Sequence, residues 1–312
     1  MGWRRHIPPR ICRGYTRHMC QVPGIFVLQK PVRRKPFCNL TMSHLSDSST
    51  VPSTGAYASI NGLNMYYEMH GGGMPLVLIH GGGSTLETSF GNILPVLARK
   101  YRIIAVELQA HGRTKDIDRP LRFEQDADDV AALLEQLQIK NAAVFGFSNG
   151  ATTALQIAIR HPQKVSSLVL ASLIIKRSGV GDWFWSGFAQ AHIGVMPQAL
   201  KEAYLKVSPD PEGLQRMFER DVQRMIDFED ISDDAVRSVT VPALLISSEQ
   251  DVPTVEHAVE IYRLLPKGHI LIVPGGHGEW LNAAEAHKEG NLLPALILPM
   301  VESFLDTATA GN

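Results

Sequence analysis

Three residue types in this sequence could together activate a hydroxyl group for attack on a carbonyl carbon. Ser148 lies in VFGFSNGATT, Asp251 ends ISSEQD and His277 lies in IVPGGHGEW, and each follows an apolar run typical of a buried strand. A serine hydroxyl is a weak nucleophile, so it needs a base to take its proton and an acid to orient that base. The sequence therefore holds candidates for all three roles.

Other residues compete for the base and the acid. For the base, four histidines are weaker candidates, because two lie in loops where a structural role is expected and two lie in helical patterns: His80, His111, His257 and His287. For the acid, Glu249 stays open as a near alternative to Asp251. The pair Asp233 and Asp234 is expected to cap or solvate a helix.

The surroundings of Ser148 strengthen its candidacy. Gly146 and Gly150 flank it where an apolar strand runs directly into a helical pattern. A Gly-x-Ser-x-Gly sequence at such a junction makes a sharp, strained turn that lifts the hydroxyl above the sheet. The attack also needs hydrogen-bond donors for the developing oxyanion, and LIHGGGS (78–84) offers backbone N–H groups without side chains. We expect the donors to be Gly82 and Asn149, with Gly83 as the neighbouring candidate.

The elements that must position these residues alternate between strands and helices. Continuous apolar runs predict strands buried on both faces of a parallel sheet. Helical patterns are expected at 123–139, 150–161, 253–265 and 291–307, with Ser84 and Glu87 as a capping box for an earlier helix. The rhythm predicts an α/β, doubly wound, mostly parallel sheet, with strands at 59–69, 75–80, 101–108, 142–147, 165–172, 242–247 and 269–275.

Residues 173–238 interrupt this rhythm with helical patterns rich in aromatic residues and methionine. An insertion of this length after a strand favours a helical cap. Its aromatic side chains, with Phe147 before the serine, are candidates for an apolar substrate pocket. The alternative is that they only pack the cap against the main domain. The candidates within the cap are Trp183, Phe184 and Trp185.

The first 57 residues differ from the rest. They are Arg-rich, contain no acidic residue before Asp47, and hold all three cysteines, Cys12, Cys20 and Cys38. We expect a basic, disordered leader over 1–57 and a folded domain over 58–312, in the cytoplasm or, if the leader is a transit peptide, in mitochondria. The formal net charge of −1 does not indicate a nucleic-acid partner, and no apolar run is long enough to span a membrane.

Over about 58–308 the sequence resembles the α/β-hydrolase superfamily, because HGGG, GFSNG, SSEQD and PGGHG occur in the family's order. The resemblance implies that Ser148 is the nucleophile, His277 the base and Asp251 the orienting acid, with no metal or organic cofactor. It also implies the small capped branch of esterases, lactonases and carbon–carbon bond hydrolases. The loop VELQAHGRT departs from that branch at Glu107, Gln109 and Ala110.

The expected function is therefore that of a serine hydrolase, which cleaves a small carboxylic ester or lactone through an acyl-enzyme. Two alternatives remain open. The same fold and triad occur in receptors that bind a small ligand without turnover, and fold alone does not exclude this. An acyltransferase or perhydrolase would pass the acyl group to an acceptor other than water. The sequence does not indicate an oligomeric state.

Overall fold

Eight strands form a single sheet in a computed structural model that describes residues 54–310. The spatial order is β1-β2-β4-β3-β5-β6-β7-β8; β1 and β2 pair antiparallel with their neighbours, and the other pairs are parallel. The predicted fold class is thereby confirmed. The strands are Thr54–Ile60 (β1), Leu63–His70 (β2), Met74–Ile79 (β3), Tyr101–Val106 (β4), Ala142–Phe147 (β5), Val165–Ala171 (β6), Ala243–Gln250 (β7) and Gly268–Gly276 (β8).

Both faces of the sheet are covered by helices. In β3, Val77 and Ile79 join one core cluster with α3, α4, α8 and α9, whereas Leu76 and Leu78 join a second with α1, α2 and α10. Burial on both faces explains why the strands are continuously apolar. The helices are Leu86–Phe90 (α1), Leu94–Leu97 (α2), Phe123–Gln136 (α3), Asn149–Arg160 (α4), Asp182–Phe188 (α5), Gln198–Val207 (α6), Pro211–Ile226 (α7), Asp233–Arg237 (α8), Val255–Leu264 (α9) and Leu293–Ala310 (α10).

Two local predictions were wrong. The run 59–69 is not one strand, because Asn61 and Gly62, with φ of 49° and 82°, turn the chain between β1 and β2. Asn-Gly suits hairpin turns that require positive φ at both central residues. The box that caps α1 pairs Thr85 with Thr88 rather than Ser84 with Glu87.

The insertion, residues 173–238, contains α5 to α8 and lies between β6 and β7. Met196, Leu200 and Met217 pack around Ala110, in the loop after β4. The insertion is therefore packed beside the C-terminal end of β4, at the edge where open α/β sheets build their sites.

The limits of the domains stay a prediction. The first strand begins at Thr54, before the expected boundary at residue 58. The expected leader lies outside the described residues, apart from its last few positions. Among residues 54–310, no helix combines the length and the apolar character that crossing a bilayer requires.

Candidate active site

Ser148 occupies a strained turn between β5 and α4. Its φ of 56° and ψ of −122° lie outside the regions that residues with side chains normally adopt. Two close backbone contacts explain the flanking glycines: a Cβ at Gly146 would lie 2.1 Å from the carbonyl oxygen of Gly150, and one at Gly150 would lie 2.2 Å from that of Ile79. The turn therefore needs glycine on both sides, and it leaves the hydroxyl at the sheet edge.

The structure brings the three candidate side chains together from the ends of three strands. Ser148 Oγ lies 3.2 Å from His277 Nε2, and His277 Nδ1 lies 2.6 Å from Asp251 Oδ1. Because a carboxylate only accepts, Nδ1 carries the ring proton and Nε2 presents its lone pair to the hydroxyl. In this arrangement the imidazole can take the proton of Ser148 as its oxygen attacks a carbonyl carbon.

Asp251 is held as an anion by several donors. Its side chain is fully buried; Oδ2 accepts from Ser172 Oγ at 2.7 Å and from Ser248 N–H at 2.9 Å, and Oδ1 accepts from Val252 N–H at 2.8 Å. Burial alone would raise the pKa of this carboxyl, but the hydrogen bond and charge of His277, with the other donors, lower it below its usual value.

The candidate oxyanion donors lie beside the hydroxyl, Gly82 in the loop after β3 and Asn149 at the first position of α4. Among the described residues, neither Gly82 N–H nor Asn149 N–H donates a hydrogen bond, and both residues border the cavity above Ser148. Gly83 differs, because its N–H donates to Asp221 Oδ2 at 2.6 Å. Gly83 is thus already engaged and is not available as the neighbouring donor, which leaves Gly82 and Asn149.

His80 contacts the glycine loop and the loop after β4, in agreement with the structural role expected for it. Its Nδ1 donates to the carbonyl oxygen of Gly81 at 2.7 Å, and its Nε2 accepts from Leu108 N–H at 3.1 Å. Complete burial, together with the charge of His111, lowers the pKa of His80 to about 3, so the ring is neutral. The C=O of Gly81 and the N–H of Gly82 share one peptide plane. His80 therefore orients the candidate donor Gly82.

A cavity of about 600 Å³ opens above Ser148. A larger groove of about 720 Å³, between β8 and α10, includes none of the three candidate side chains. Of the charged residues in the described chain, only Asp221 borders the cavity; its walls are otherwise mostly apolar, and they include Trp183, Phe184, Phe188, Met196, Leu200, Met217, Phe218 and Met225.

Two predicted pocket residues do not line this cavity. Trp185 donates its Nε1–H to the carbonyl oxygen of Arg177 at 2.8 Å and packs against Phe228, with ring centroids 5.3 Å apart. Phe147 is buried in the sheet core, and its ring lies 4.8 Å from that of His277. In a strand, side chains alternate between the two faces of the sheet. The side chain of Phe147 points toward the ring of His277, so it supports the histidine instead of facing a substrate.

The rival residues lie elsewhere. Glu249 is exposed at the end of β7, and His287 is exposed in a loop. His257 is buried, where it accepts from Ile175 N–H at 3.1 Å and faces Glu260 at 3.2 Å. The residues Asp233 and Asp234 begin α8 and face Arg237. None of these five side chains contacts Ser148 in the described structure.

Two residues of the site were missed at the sequence level. Ser172 directly follows β6, at a strand end, and that position was the available signal. Asp221 lies in α7 and meets His111 Nε2 at 2.9 Å across 110 positions of sequence. A separation of that size carries no local pattern from which the contact could have been inferred.

Comparisons with known proteins agree with this architecture. Residues 74–193 match the family model described as alpha/beta hydrolase fold. An uncharacterized hydrolase of Bacillus subtilis is 30% identical over 217 residues, which cover 62% of this chain and 79% of the relative. A pimeloyl-[acyl-carrier protein] methyl ester esterase of Neisseria meningitidis is 29% identical over 253 residues, which cover 73% and 77%.

A third relative is longer than this chain. The acetyltransferase component of the acetoin cleaving system of Pseudomonas putida is 30% identical over 236 residues, 75% of this chain but 60% of that protein. The chain thus spans less than two thirds of that relative. A crystal structure of a serine hydrolase involved in carbazole degradation superposes with a TM-score of 0.67 at 22% identity, covering 82% of this chain and all of the other.

The sheet order, the strained serine turn and these matches converge on one assignment. The solved structure is evidence for the fold, and the curated relatives support the same family. The chain belongs to the alpha/beta hydrolase fold family.

Proposed function

We propose that this protein is a serine hydrolase that cleaves a small carboxylic ester or lactone through an acyl-enzyme. The observation that carries the proposal is the continuous path from Ser148 Oγ to His277 Nε2 at 3.2 Å and from His277 Nδ1 to Asp251 Oδ1 at 2.6 Å. The esterase among the relatives supports an ester bond as the target.

The geometry accounts for each step of such a reaction. As Ser148 Oγ bonds to the carbonyl carbon, its proton passes to His277 Nε2, and Asp251 stabilises the resulting imidazolium. The oxyanion accepts from Gly82 N–H and Asn149 N–H. When the bond to the alkoxy oxygen breaks, His277 returns the proton to the leaving alcohol. Water then attacks the acyl carbon and gives its proton to the same nitrogen. When the bond from the acyl carbon to Ser148 Oγ breaks, His277 returns this proton to Oγ, so that the acid leaves and the serine is regenerated.

The cavity supports an uncharged, apolar acyl or alcohol portion. Its walls are mostly Met, Leu and aromatic side chains, and among residues 54–310 no Lys or Arg lines it that would pair with a substrate carboxylate. The charged group at its border, Asp221, is a carboxylate that already pairs with Arg224 and His111, so it offers no attraction to an anionic group. We therefore expect neutral p-nitrophenyl esters and unsubstituted lactones to be better substrates than esters with a free carboxylate.

The test compares the full-length wild type with Ser148→Ala on p-nitrophenyl acetate and butyrate and on a lactone panel. The variant should lose on the order of 10⁴-fold in kcat/KM, because the covalent route is removed. Ser303→Ala, an exposed serine on α10, is the matched control and should retain wild-type activity.

Three other results would replace the proposal. Unchanged turnover in Ser148→Ala would remove Ser148 from its role. Binding of small esters or lactones without turnover would favour a receptor. Acyl transfer to added alcohol or peroxide in preference to water, seen by product analysis, would favour an acyltransferase or a perhydrolase.

A further inference from the structure

A carboxylate from the insertion reaches the glycine loop beside Ser148. Asp221, on α7, accepts from Gly83 N–H at 2.6 Å and from His111 Nε2 at 2.9 Å through the same oxygen, Oδ2. Its other oxygen pairs closely with Arg224. The mechanism proposed above uses none of these groups, yet Asp221 borders the cavity that contains Ser148.

The hydrogen bond to Gly83 restrains the backbone of the glycine loop, residues 81–83. Three consecutive glycines, 81 to 83, have no side chains to hold them, and glycine has the greatest backbone freedom. His80 fixes the peptide plane between Gly81 and Gly82 from inside the main domain. Asp221 fixes the next plane, between Gly82 and Gly83, from the insertion. Gly82 thus lies between two anchored peptide planes, the first of which carries its own N–H.

The carboxylate is itself held rigidly and in its charged form. His111 is completely buried, and its Nδ1 faces the carbonyl oxygen of Gln109 at 2.8 Å while Nε2 faces Asp221. Both neighbours only accept hydrogen bonds, so both ring nitrogens carry protons and the ring is a cation. This charge and that of Arg224 keep Asp221 ionised against the cost of its burial.

We propose that Asp221 is a positioning residue for the oxyanion hole: by holding Gly83 N–H, it makes the donor geometry of Gly82 depend on the seating of α7. The insertion then helps to build the catalytic site as well as to line the cavity. This proposal rests on the proposed function, since it concerns the stabilisation of the oxyanion that forms when Ser148 attacks.

The simpler explanation is that Asp221 only docks α7 onto the main domain. Asp126 provides the matched control, because it is also buried and pairs with the same Arg224, at 2.8 Å. It belongs to α3 and has no contact with the glycine loop in the described structure. A docking role predicts the same behaviour for Asp221→Asn and Asp126→Asn, whereas a positioning role predicts different behaviour.

The experiment uses full-length wild type, Asp221→Asn and Asp126→Asn with p-nitrophenyl butyrate. It also measures inhibition by a trifluoromethyl ketone, which forms a tetrahedral oxyanion adduct, and by an alcohol of the same shape, which does not. Loss of a well-placed oxyanion donor typically costs on the order of a hundredfold in kcat.

We expect Asp221→Asn to lower kcat by about 30- to 100-fold, with KM changed by less than about threefold. The Ki of the ketone should rise in parallel with the loss of kcat, while the Ki of the alcohol stays constant. Asp126→Asn should lower the unfolding temperature but keep kcat and the ketone Ki close to those of wild type.

A second variant keeps the proposal testable if Asp221→Asn does not fold. Asp221→Glu retains the charge that pairs with Arg224 and His111, but its extra methylene displaces the oxygen from Gly83 N–H, so kcat and ketone affinity should again fall together. A kcat within about threefold of wild type in a folded Asp221 variant would overturn the proposal. Equal losses of kcat and ketone affinity in Asp126→Asn would do the same. Failure of the proposed function is separately visible, because wild-type activity would then survive Ser148→Ala.

Discussion

Among the described residues, two histidine–aspartate pairs lie beside the candidate site and look alike in isolation. His277 and Asp251 are joined by 2.6 Å, and His111 and Asp221 by 2.9 Å. The first histidine is about a quarter exposed and its free nitrogen faces Ser148, whereas the second is completely buried and its other nitrogen faces the carbonyl oxygen of Gln109. The two pairs therefore differ in the group that faces the second ring nitrogen of the histidine.

That group decides which histidine can act as a base. With Nδ1–H directed at Asp251, His277 keeps a lone pair on Nε2 for the hydroxyl proton. His111 lies between two acceptors and retains both protons, so it has no lone pair to offer. Its cationic form instead stabilises the anion of Asp221. A histidine beside a carboxylate is therefore a candidate base only when its second nitrogen meets a donor.

Replacing His277 with glutamine should mainly reduce activity, whereas replacing His111 with glutamine should mainly reduce stability. His277→Gln removes the base from a partly exposed position, so we expect a loss of about 10⁴-fold or more in kcat/KM with little change in unfolding free energy. His111→Gln leaves Asp221 without one of its buried cationic partners, so we expect a loss of about 3 kcal/mol in unfolding free energy. Ester kinetics and chemical denaturation measure the two effects.

The comparison would fail if both variants behaved alike. A His277→Gln protein that kept more than a tenth of wild-type kcat/KM would show that another group takes the proton. A His111→Gln protein of wild-type stability would show that its pair with Asp221 contributes nothing net.

The stability of the buried pair should also depend on pH. Contact with Asp221 raises the pKa of His111 despite the burial that opposes protonation, and His111 and Arg224 lower the pKa of Asp221. A raised histidine pKa stabilises the fold fully below the unfolded value of about 6.5, and this contribution is lost as pH rises through the folded value. The lowered aspartate pKa stabilises the fold above about pH 4 and is lost at lower pH.

The difference in unfolding free energy between wild type and His111→Gln isolates this effect, because charged groups remote from the pair cancel. It should be largest between about pH 4 and 6.5 and should shrink as pH rises further. Urea titrations at pH 5.5, 7 and 9 measure it. A difference that grows with pH would mean that His111 is neutral in the folded protein.

The sequence was sufficient to place the first pair but not the second. Ser148, Asp251 and His277 each follow a strand end, and parallel strands bring their ends to one edge, so element order alone predicts that they meet. Asp221 follows no strand and carries no motif. Asp221 accepts a hydrogen bond from Gly83, a predicted oxyanion donor, and the two residues are 138 positions apart in the sequence. The contact therefore depends on how the insertion packs.

The errors at the level of single elements have a local origin. The hairpin at Asn61 and Gly62 carried a clear turn signal that was hidden within a run of strand-forming residues. Thr85 was passed over for its neighbour Ser84, because Glu87 completed a standard capping pattern while the box that formed uses Thr88. Trp185 belonged to an aromatic run in which sequence alone does not reveal the direction of each side chain.

The smallest effect that would sharpen the comparison concerns Ser172, which contacts the candidate pair His277–Asp251 and has no counterpart beside His111–Asp221 among the described residues. Its hydroxyl donates to Asp251 Oδ2 at 2.7 Å. Ser172→Ala removes one donor but leaves Ser248 N–H and Val252 N–H in place, so Asp251 should remain ionised. We expect kcat/KM to fall by about three- to tenfold. This effect is smaller than the roughly 1.5–3 kcal/mol that a hydrogen bond to a charged group typically contributes.

Ser167→Ala is the matched control, because Ser167 is equally buried on β6 and its hydroxyl has no partner among the described residues. It should leave kcat/KM unchanged. If Ser172→Ala also left the rate unchanged, the backbone donors alone would hold Asp251, and the serine would only fill space. A loss as large as that of His277→Gln would instead mean that Asp251 needs every donor to keep its orientation. A graded loss is expected for a carboxylate with several independent donors. It would show that no single donor is essential for holding Asp251 in the candidate pair with His277.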